Sequence, residues 1–338
     1  SSLIDNGKAY YCNCSKQRLD SLRENLMKKG EKPKYDGCCR KKNLTRGVVR
    51  FLNPDEGHVL FKDYVKGDIE FANIELDDLI IARADGSPTY NLTVVVDDHD
   101  MDIDCVIRGD DHINNTPKQI NLYKALSWKL PDFAHVPMIL GADGARLSKR
   151  HGAVNILSYR DEGYLPKALL NYIVRLGWSH GDQELFSINK MIELFDLKDI
   201  NKSPASFNKD KLLWLNQNYI KSTKIDELVN HLKYHLDKKS INTNNGPKIE
   251  NVVESLRDRS KTLVEMTENC AMFYQDFNSF DPDLAKKFFQ AESRPILENL
   301  ISDLEVLDLW TADEIHNVIK KICENRDIGF AKAGQPFR

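Results

Sequence analysis

The hydrophobic period of the chain changes part-way along, and this limits its architecture more than any other feature. Between Gly47 and Arg83, short β-like runs at 48–52, 58–61, 69–71 and 79–83 are separated by Asn-Pro, Asp-Glu-Gly and Lys-Gly turns. The nearly continuous β-branched run 90–96 predicts a strand covered on both faces. Further strands are predicted at 105–108 and 136–140, with a helix between them that starts at Thr116 and has Pro117 in the favoured first position. Beyond about residue 155 the apolar residues recur at helical spacing, as in Leu165, Ala168, Leu169, Tyr172, Ile173 and Leu176, or Ile225, Leu228, Val229, Leu232 and Leu236. Thr311 to Glu314 forms a capping box ahead of another such face. This order predicts an α/β fold: one half of a doubly wound nucleotide-binding sheet with a small mixed module before it and helical regions after it. The ligand crevice of such a sheet lies beyond the carboxyl ends of its strands, so the loops after Val96, Arg108 and Leu140 are predicted to meet there.

The length of 338 residues suits two or three domains, and 41% apolar with 29% charged residues is a globular composition. A net charge of -3 means that any nucleic-acid footprint must be local. No apolar run approaches the length that spans a bilayer, so a membrane-spanning helix is excluded. The chain opens on Ser-Ser-Leu-Ile-Asp without a charged-then-apolar leader and closes on a Gly-containing tail, so both ends read as cuts and a cytoplasmic location is expected.

Four of the seven cysteines sit at 12, 14, 38 and 39, flanking a helix predicted from the Ser15 cap to about Lys29. Clustering of this kind in a leaderless chain favours a metal site over a disulfide framework. Zinc takes four tetrahedral N, S or O ligands. Cys12 and Cys14 supply one pair and Cys39 the third ligand, with Tyr35 or Cys38 as the fourth. Free buried thiols are the alternative. Next to this cluster, nine Lys and Arg residues from Lys28 to Arg50 stand against Glu31 and Asp36, a local excess that a phosphate backbone would complement and that a solvated surface would also explain.

Several patterns imitate function. Gly177-Trp-Ser-His-Gly181 has the form of a hydrolase elbow but follows a predicted helix instead of a strand. Asp98, Asp100, Asp102 and Asp104 lack the Gly and Glu that a calcium loop needs, and His231 with His235 lacks the Glu of a zinc protease, which leaves a helix surface. The most informative stretch is Gly141-Ala-Asp-Gly-Ala-Arg-Leu-Ser-Lys-Arg150. It follows a predicted strand and brings Arg146, Lys149 and Arg150 to the crevice mouth, where cations can stabilise charge developing on a breaking polyphosphate; a basic surface loop is the plainer reading.

Arg146-Leu-Ser-Lys-Arg150 resembles the KMSKS motif of class I aminoacyl-tRNA synthetases. Asp85 to Asn91, Val94 to Asp98, Val106 to Pro117, Leu169 to Trp178 and Lys211 to Asn216 resemble bacterial glutamyl-tRNA synthetases over essentially the whole chain. The resemblance implies activation of glutamate with ATP and Mg2+ and transfer of the glutamyl group to the terminal adenosine of tRNA(Glu). It implies that Lys149, with Arg146 and Ser148, acts on the ATP phosphates, that Arg150 belongs to the same ATP-binding loop, and that Tyr90 and Arg108 hold glutamate. Residues 1–88 match the acceptor-binding insertion with its zinc knob, 89–150 the second half of the catalytic domain, 151–220 the stem-contact region and 221–338 the start of a helical anticodon-binding region. Where the family commonly has a His zinc ligand this chain has Lys41, and Asp110 replaces a more usual Glu. No HIGH-type motif occurs, so the expectation is a piece of a longer, monomeric enzyme, inactive alone. The alternatives are a tRNA-binding module without catalysis and a non-discriminating enzyme that also charges tRNA(Gln).

Overall fold

The computed structural model describes residues 2–148, 155–276 and 279–337. Contacts divide the chain into two units: one runs up to Ser240 and includes Ile249–Glu268, and the other comprises Ile241–Lys248 and the chain from Asn269. The expected boundary at 220/221 therefore falls inside the first unit.

The first unit opens with a single helical turn, α1 (Ser2–Asp5), then β1 (Ala9–Cys12) and α2 (Lys16–Lys28). The Ser15 hydroxyl accepts from the Arg18 backbone N–H and starts α2 as the sequence predicts. Strands β2 (Val48–Phe51), β3 (His58–Asp63), β4 (Gly67–Ala72) and β5 (Ile80–Ala82) also form where the alternation places them. They divide between two sheets: β1, β2 and β5 make a small antiparallel sheet. In contrast, β3 and β4 join a four-stranded sheet, in the order β4-β3-β7-β6, through a parallel pairing of Asp63 with Phe133. Residues 1–88 are thus not a separate module. Leu3, Ala9, Phe51 and Ile81 share one core with Val95, Leu122 and Tyr123.

The run at 90–96 is helical, within α3 (Tyr90–Asp100), where a strand was predicted. Its β-branched residues favour a strand only in a sheet context, and packing overrides that preference. Leu92 and Val95, one turn apart, enter the shared core, and His99 stacks on Trp128 at 3.9 Å. β6 (Cys105–Gly109) and α4 (Thr116–Leu126) follow as predicted. The strand predicted at 136–140 is broken by Pro137, which cannot donate to a ladder. Its two halves end β7 (Asp132–Val136) and form β8 (Ile139–Leu140), and β8 pairs with β9 (Ala205–Ser206) in another sheet. β6 and β7 run parallel in register, so the β6-α4-β7 crossover is the half-sheet that the sequence implied.

The remaining helices of this unit are α5 (Ile156–Asp161), α6 (Pro166–Gly177), α7 (Ile188–Leu194), α8 (Lys209–Ser222), α9 (Ile225–Lys238), α10 (Ile249–Leu256) and most of α11 (Leu263–Cys270). α6 and α8 bury Tyr164, Leu169, Tyr172, Leu212 and Leu215 together. Gly177 ends α6, which disposes of the hydrolase elbow. His235 is buried, not on a surface, with its helix neighbour His231 half-exposed. In the second unit α13 (Arg294–Glu305), α14 (Ala312–Asn325) and α15 (Phe330–Phe337), preceded by α12 (Pro282–Phe288), enclose Ile296, Leu300, Ile319 and Ile322. Among the described residues no helix is long and apolar enough to cross a membrane.

Candidate functional site

Arg108 lies next to last in β6, and its register partner in β7 is His135. Its Nη2 donates to Thr116 Oγ1 at 2.7 Å and to Gln119 Oε1 at 2.8 Å, and its Nε donates to His135 Nε2 at 3.2 Å. Gln119 is itself fixed by donating to Asn91 Oδ1 at 3.0 Å. All three acceptors are neutral, and among the described residues no carboxylate forms an ion pair with Arg108. Burial pulls its pKa down, opposed by the nearby Tyr90 and by the charges of Asp98 and Asp111. The exposed Tyr90 hydroxyl also meets His112 Nδ1 at 3.3 Å. Tyr90 and Arg108 thus stand near one another, with Tyr90 delivered by the first turn of a helix instead of by a strand. A half-buried guanidinium with no ion-pair partner among the described residues, near a phenol, has the chemistry to take up a carboxylate.

The loop after β8 closes over this end of the sheet. Gly144 turns it at a φ of 75°, the Gly141 N–H donates to the Ala145 carbonyl, and Arg146 bridges back to Leu140. Arg146 Nη2 then reaches Asp111 Oδ2 at 3.0 Å, so the loops after β6 and β8 do meet. At Gly109 a Cβ would stand 2.6 Å from Asp111 Oδ1 and 3.2 Å from Met138 Sδ, so a larger residue there would push the Asp111 carboxylate from its present position. Ser148 is half-buried in the same loop. Lys149 and Arg150 lie outside the described residues.

The cysteine cluster is assembled by β1 and the loop that follows α2. The Sγ atoms of Cys12, Cys14 and Cys39 all lie within 4.8 Å of one another. The Tyr35 hydroxyl is 3.4 Å from Cys12 Sγ and 3.6 Å from Cys14 Sγ, and it accepts from the Cys39 N–H at 3.1 Å. Cys38 Sγ is 3.3 Å from Cys14 Sγ and 3.8 Å from Cys39 Sγ. Ligands about 2.3 Å from a tetrahedral zinc stand about 3.8 Å apart, so these spacings fit one ion. Burial pushes the Cys14 thiol up to about 12 and the Tyr35 phenol higher still. For Cys38 and Cys39 burial also pushes upward, but hydrogen bonds led by that from Tyr35 win and lower both. Two guanidinium groups face the cluster: Arg50 stacks on the Tyr35 ring at 3.9 Å, and Arg18 donates to Cys14 Sγ at 3.7 Å. Such cations suit an anionic thiolate site. Gly47, at a φ of 125°, passes so close that a Cβ would collide with the Cys12 carbonyl.

The basic run beside the cluster is smaller than its sequence suggests. Arg50 is 5% exposed, and Arg40 pairs with the buried Asp78 at 2.7 Å and with Asp55 at 2.5 Å. Lys28, Lys29, Lys41, Lys42 and Arg46 remain exposed.

Residues 1–214 match the family model of class I tRNA synthetases (E and Q), catalytic domain, and residues 227–338 match that of an anticodon binding domain. The chain is 62% identical over 336 residues to the glutamate–tRNA ligase of Vesicomyosocius okutanii, covering 99% of this chain and 73% of the relative. This chain belongs to the glutamate–tRNA ligase family. The ligase of Ruthia magnifica is 60% identical over 99% of this chain and 74% of its own length. Among solved structures, the glutamate–tRNA ligase of Elizabethkingia meningosepticum, in complex with its amino acid, superposes with a TM-score of 0.85 at 26% identity, covering 100% of this chain and 74% of that one. The Elizabethkingia anophelis enzyme follows at 0.81 and 26%, over 100% and 75%. The ligase-family fold thus agrees with the Rossmann-like half-sheet and helical regions. Sequence reading had not found His135, Asp63, Thr116, Gln119 and Asp111, the residues that hold Arg108 and Arg146.

Proposed function

We propose that this chain supplies the glutamate-holding and tRNA-contacting parts of an ATP-dependent glutamate–tRNA ligase. Glutamate is activated as its adenylate, with release of pyrophosphate, and passed to the terminal adenosine of tRNA(Glu). The observation that carries this is Arg108, a half-buried guanidinium held by neutral acceptors beside Tyr90. In this reading the substrate's side-chain carboxylate supplies the missing charge, and Tyr90 adds a hydroxyl donor. Arg146 and Ser148 sit on the loop that approaches ATP and its Mg2+, and Lys149 and Arg150 are assigned there by the motif. The catalytic half-sheet, residues 89–150 joined by β3 and β4, carries an acceptor-binding insertion within residues 1–88 and is followed by stem-contact and anticodon-binding helices. The enzyme acts as a cytoplasmic monomer.

Zinc fits Cys12, Cys14 and Cys39 with Tyr35 as fourth ligand, and its role is to hold the two loops of the insertion together. Zinc content should fall on Cys14→Ser and on Tyr35→Phe but not on Cys38→Ser; the reverse order for the last two makes Cys38 the ligand.

The full-length gene product tests the main reading by ATP–pyrophosphate exchange with glutamate and tRNA. Arg108→Lys keeps the charge but loses the planar fork, and should raise KM for glutamate on the order of a hundredfold. An unchanged KM removes Arg108 from the glutamate site. Charging of tRNA(Gln) alongside tRNA(Glu) would mark the enzyme as non-discriminating.

A further inference from the structure

Behind Arg108 runs a buried chain of hydrogen bonds across three adjacent strands. Asp63 ends β3, His135 lies in β7 and Arg108 in β6. His135 and Asp63 have no exposed side-chain surface. Asp63 Oδ2 accepts from His135 Nδ1 at 2.6 Å and from the His135 backbone N–H at 3.0 Å, and Oδ1 accepts from the N–H groups of Val65 and Lys66 at 2.9 and 2.8 Å. On its other side, His135 Nε2 faces Arg108 Nε at 3.2 Å and Thr116 Oγ1 at 3.0 Å. Phe133 and Phe61 flank the imidazole at centroid distances of 6.4 and 6.5 Å.

These partners leave one arrangement of protons. A carboxylate can only accept, so Nδ1 carries a hydrogen. Arginine Nε can only donate, so Nε2 carries a lone pair. The imidazole is therefore neutral and of one tautomer, and it presents a fixed acceptor to the edge of the guanidinium. Thr116 completes the clamp, accepting from Arg108 Nη2 and donating to the His112 carbonyl at 3.5 Å, with its hydroxyl 3.0 Å from Nε2.

We propose that Asp63, His135 and Thr116 are positioning residues for glutamate recognition: Asp63 sets the His135 tautomer, and His135 and Thr116 fix the plane of the Arg108 guanidinium without neutralising it. A carboxylate bonded directly to Arg108 would compete with the substrate for that charge. Placing the anion one imidazole away orients the guanidinium and leaves its charge for the ligand. This rests on the reading of Arg108 as the residue that holds the glutamate side chain.

Asp63→Asn tests it with almost no change in shape. The amide can donate to His135 Nδ1, which shifts the ring hydrogen to Nε2 and sets it against the Arg108 N–H. In the full-length enzyme, KM for glutamate should rise about tenfold, the size usual for loss of a residue that orients a ligand-binding group. Discrimination against glutamine should fall, while kcat and KM for ATP hold. Thr116→Val, which removes only the hydroxyl from the clamp, should act in the same direction and serves as the test if Asp63→Asn does not fold. Nitrogen-15 NMR of His135 in the 338-residue chain at neutral pH should show a protonated Nδ1 and a bare Nε2. A protonated Nε2, or a folded Asp63→Asn or Thr116→Val variant with unchanged KM for glutamate, overturns the proposal. If Arg108→Lys also leaves KM unchanged, the glutamate site itself is misassigned; if Arg108→Lys is impaired and the other variants are not, only the positioning roles fail.

Discussion

Asp63 accepts four hydrogen bonds with its side chain wholly buried. Burial works against its ionised form, yet the His135 ring and the backbone N–H groups outweigh this and hold its carboxyl below the usual carboxylate range. A folded value below the unfolded one means that the contribution to stability is complete above about pH 4 and fades as pH falls through the folded value. Urea unfolding followed from pH 6 to pH 3 should show this acid loss in the native chain and a flatter acid limb in Asp63→Asn; superimposable limbs would remove the linkage. Local spacing made Cys12, Cys14, Cys39 and Tyr35 visible in the sequence, whereas Arg108 was singled out only by the family resemblance of the segment that carries it. Asp63 and His135 are 72 positions apart and meet only through strand pairing, which no local pattern records.

At the scale of elements, single side chains tie helix ends together. Asn216 of α8 is fully buried: its Oδ1 accepts from the Leu165 N–H at 2.8 Å, and its Nδ2 donates to the Lys261 carbonyl at 2.7 Å. It thereby joins α8 to the segments leading into α6 and α11. Asn216→Leu strands both backbone groups and should cost about 2–4 kcal/mol, a loss readable as a lower urea midpoint at constant slope. On α9, burial holds the His235 imidazole below its usual pKa. The unfolded chain then takes up this proton first, so stability should rise with pH up to about 6.5 and level off above it. His235→Gln should remove that part of the rise in thermal midpoint between pH 5 and pH 7. Helices with caps and clear apolar faces were legible in advance. α3 was not, since its valines favour a strand until the shared core takes Leu92 and Val95 at helical spacing; nor was β7, whose Asp132 and His135 disguise a buried strand.

Over the whole molecule, the small sheet is shared between two cores. Cys12 of β1 and Val48 of β2 pack with Tyr35, Cys39, Leu19 and Leu44, while Ala9, Phe51 and Ile81 at the other end of β1, β2 and β5 pack with Val95 of α3 and Leu122 and Tyr123 of α4. Removal of zinc loaded at Cys12, Cys14 and Cys39 should accordingly loosen residues 31–47, raising their amide exchange by at least about tenfold, and leave the end of the sheet at Phe51 and Ile81 protected. Exchange that rises equally in β2 and β5 would mean that the ion holds up the entire insertion. The loop that carries Arg146 rests on a different sort of support. Its ion pair with Asp111 involves an Arg side chain that is 65% exposed. Mobile ions screen such a contact over about 10 Å at 0.1 M salt. The hold of Arg146 on Asp111 is therefore set by the buffer as well as by the chain, while the Leu147 N–H donating to the Ile139 carbonyl keeps the base of the loop on β8 at any salt concentration.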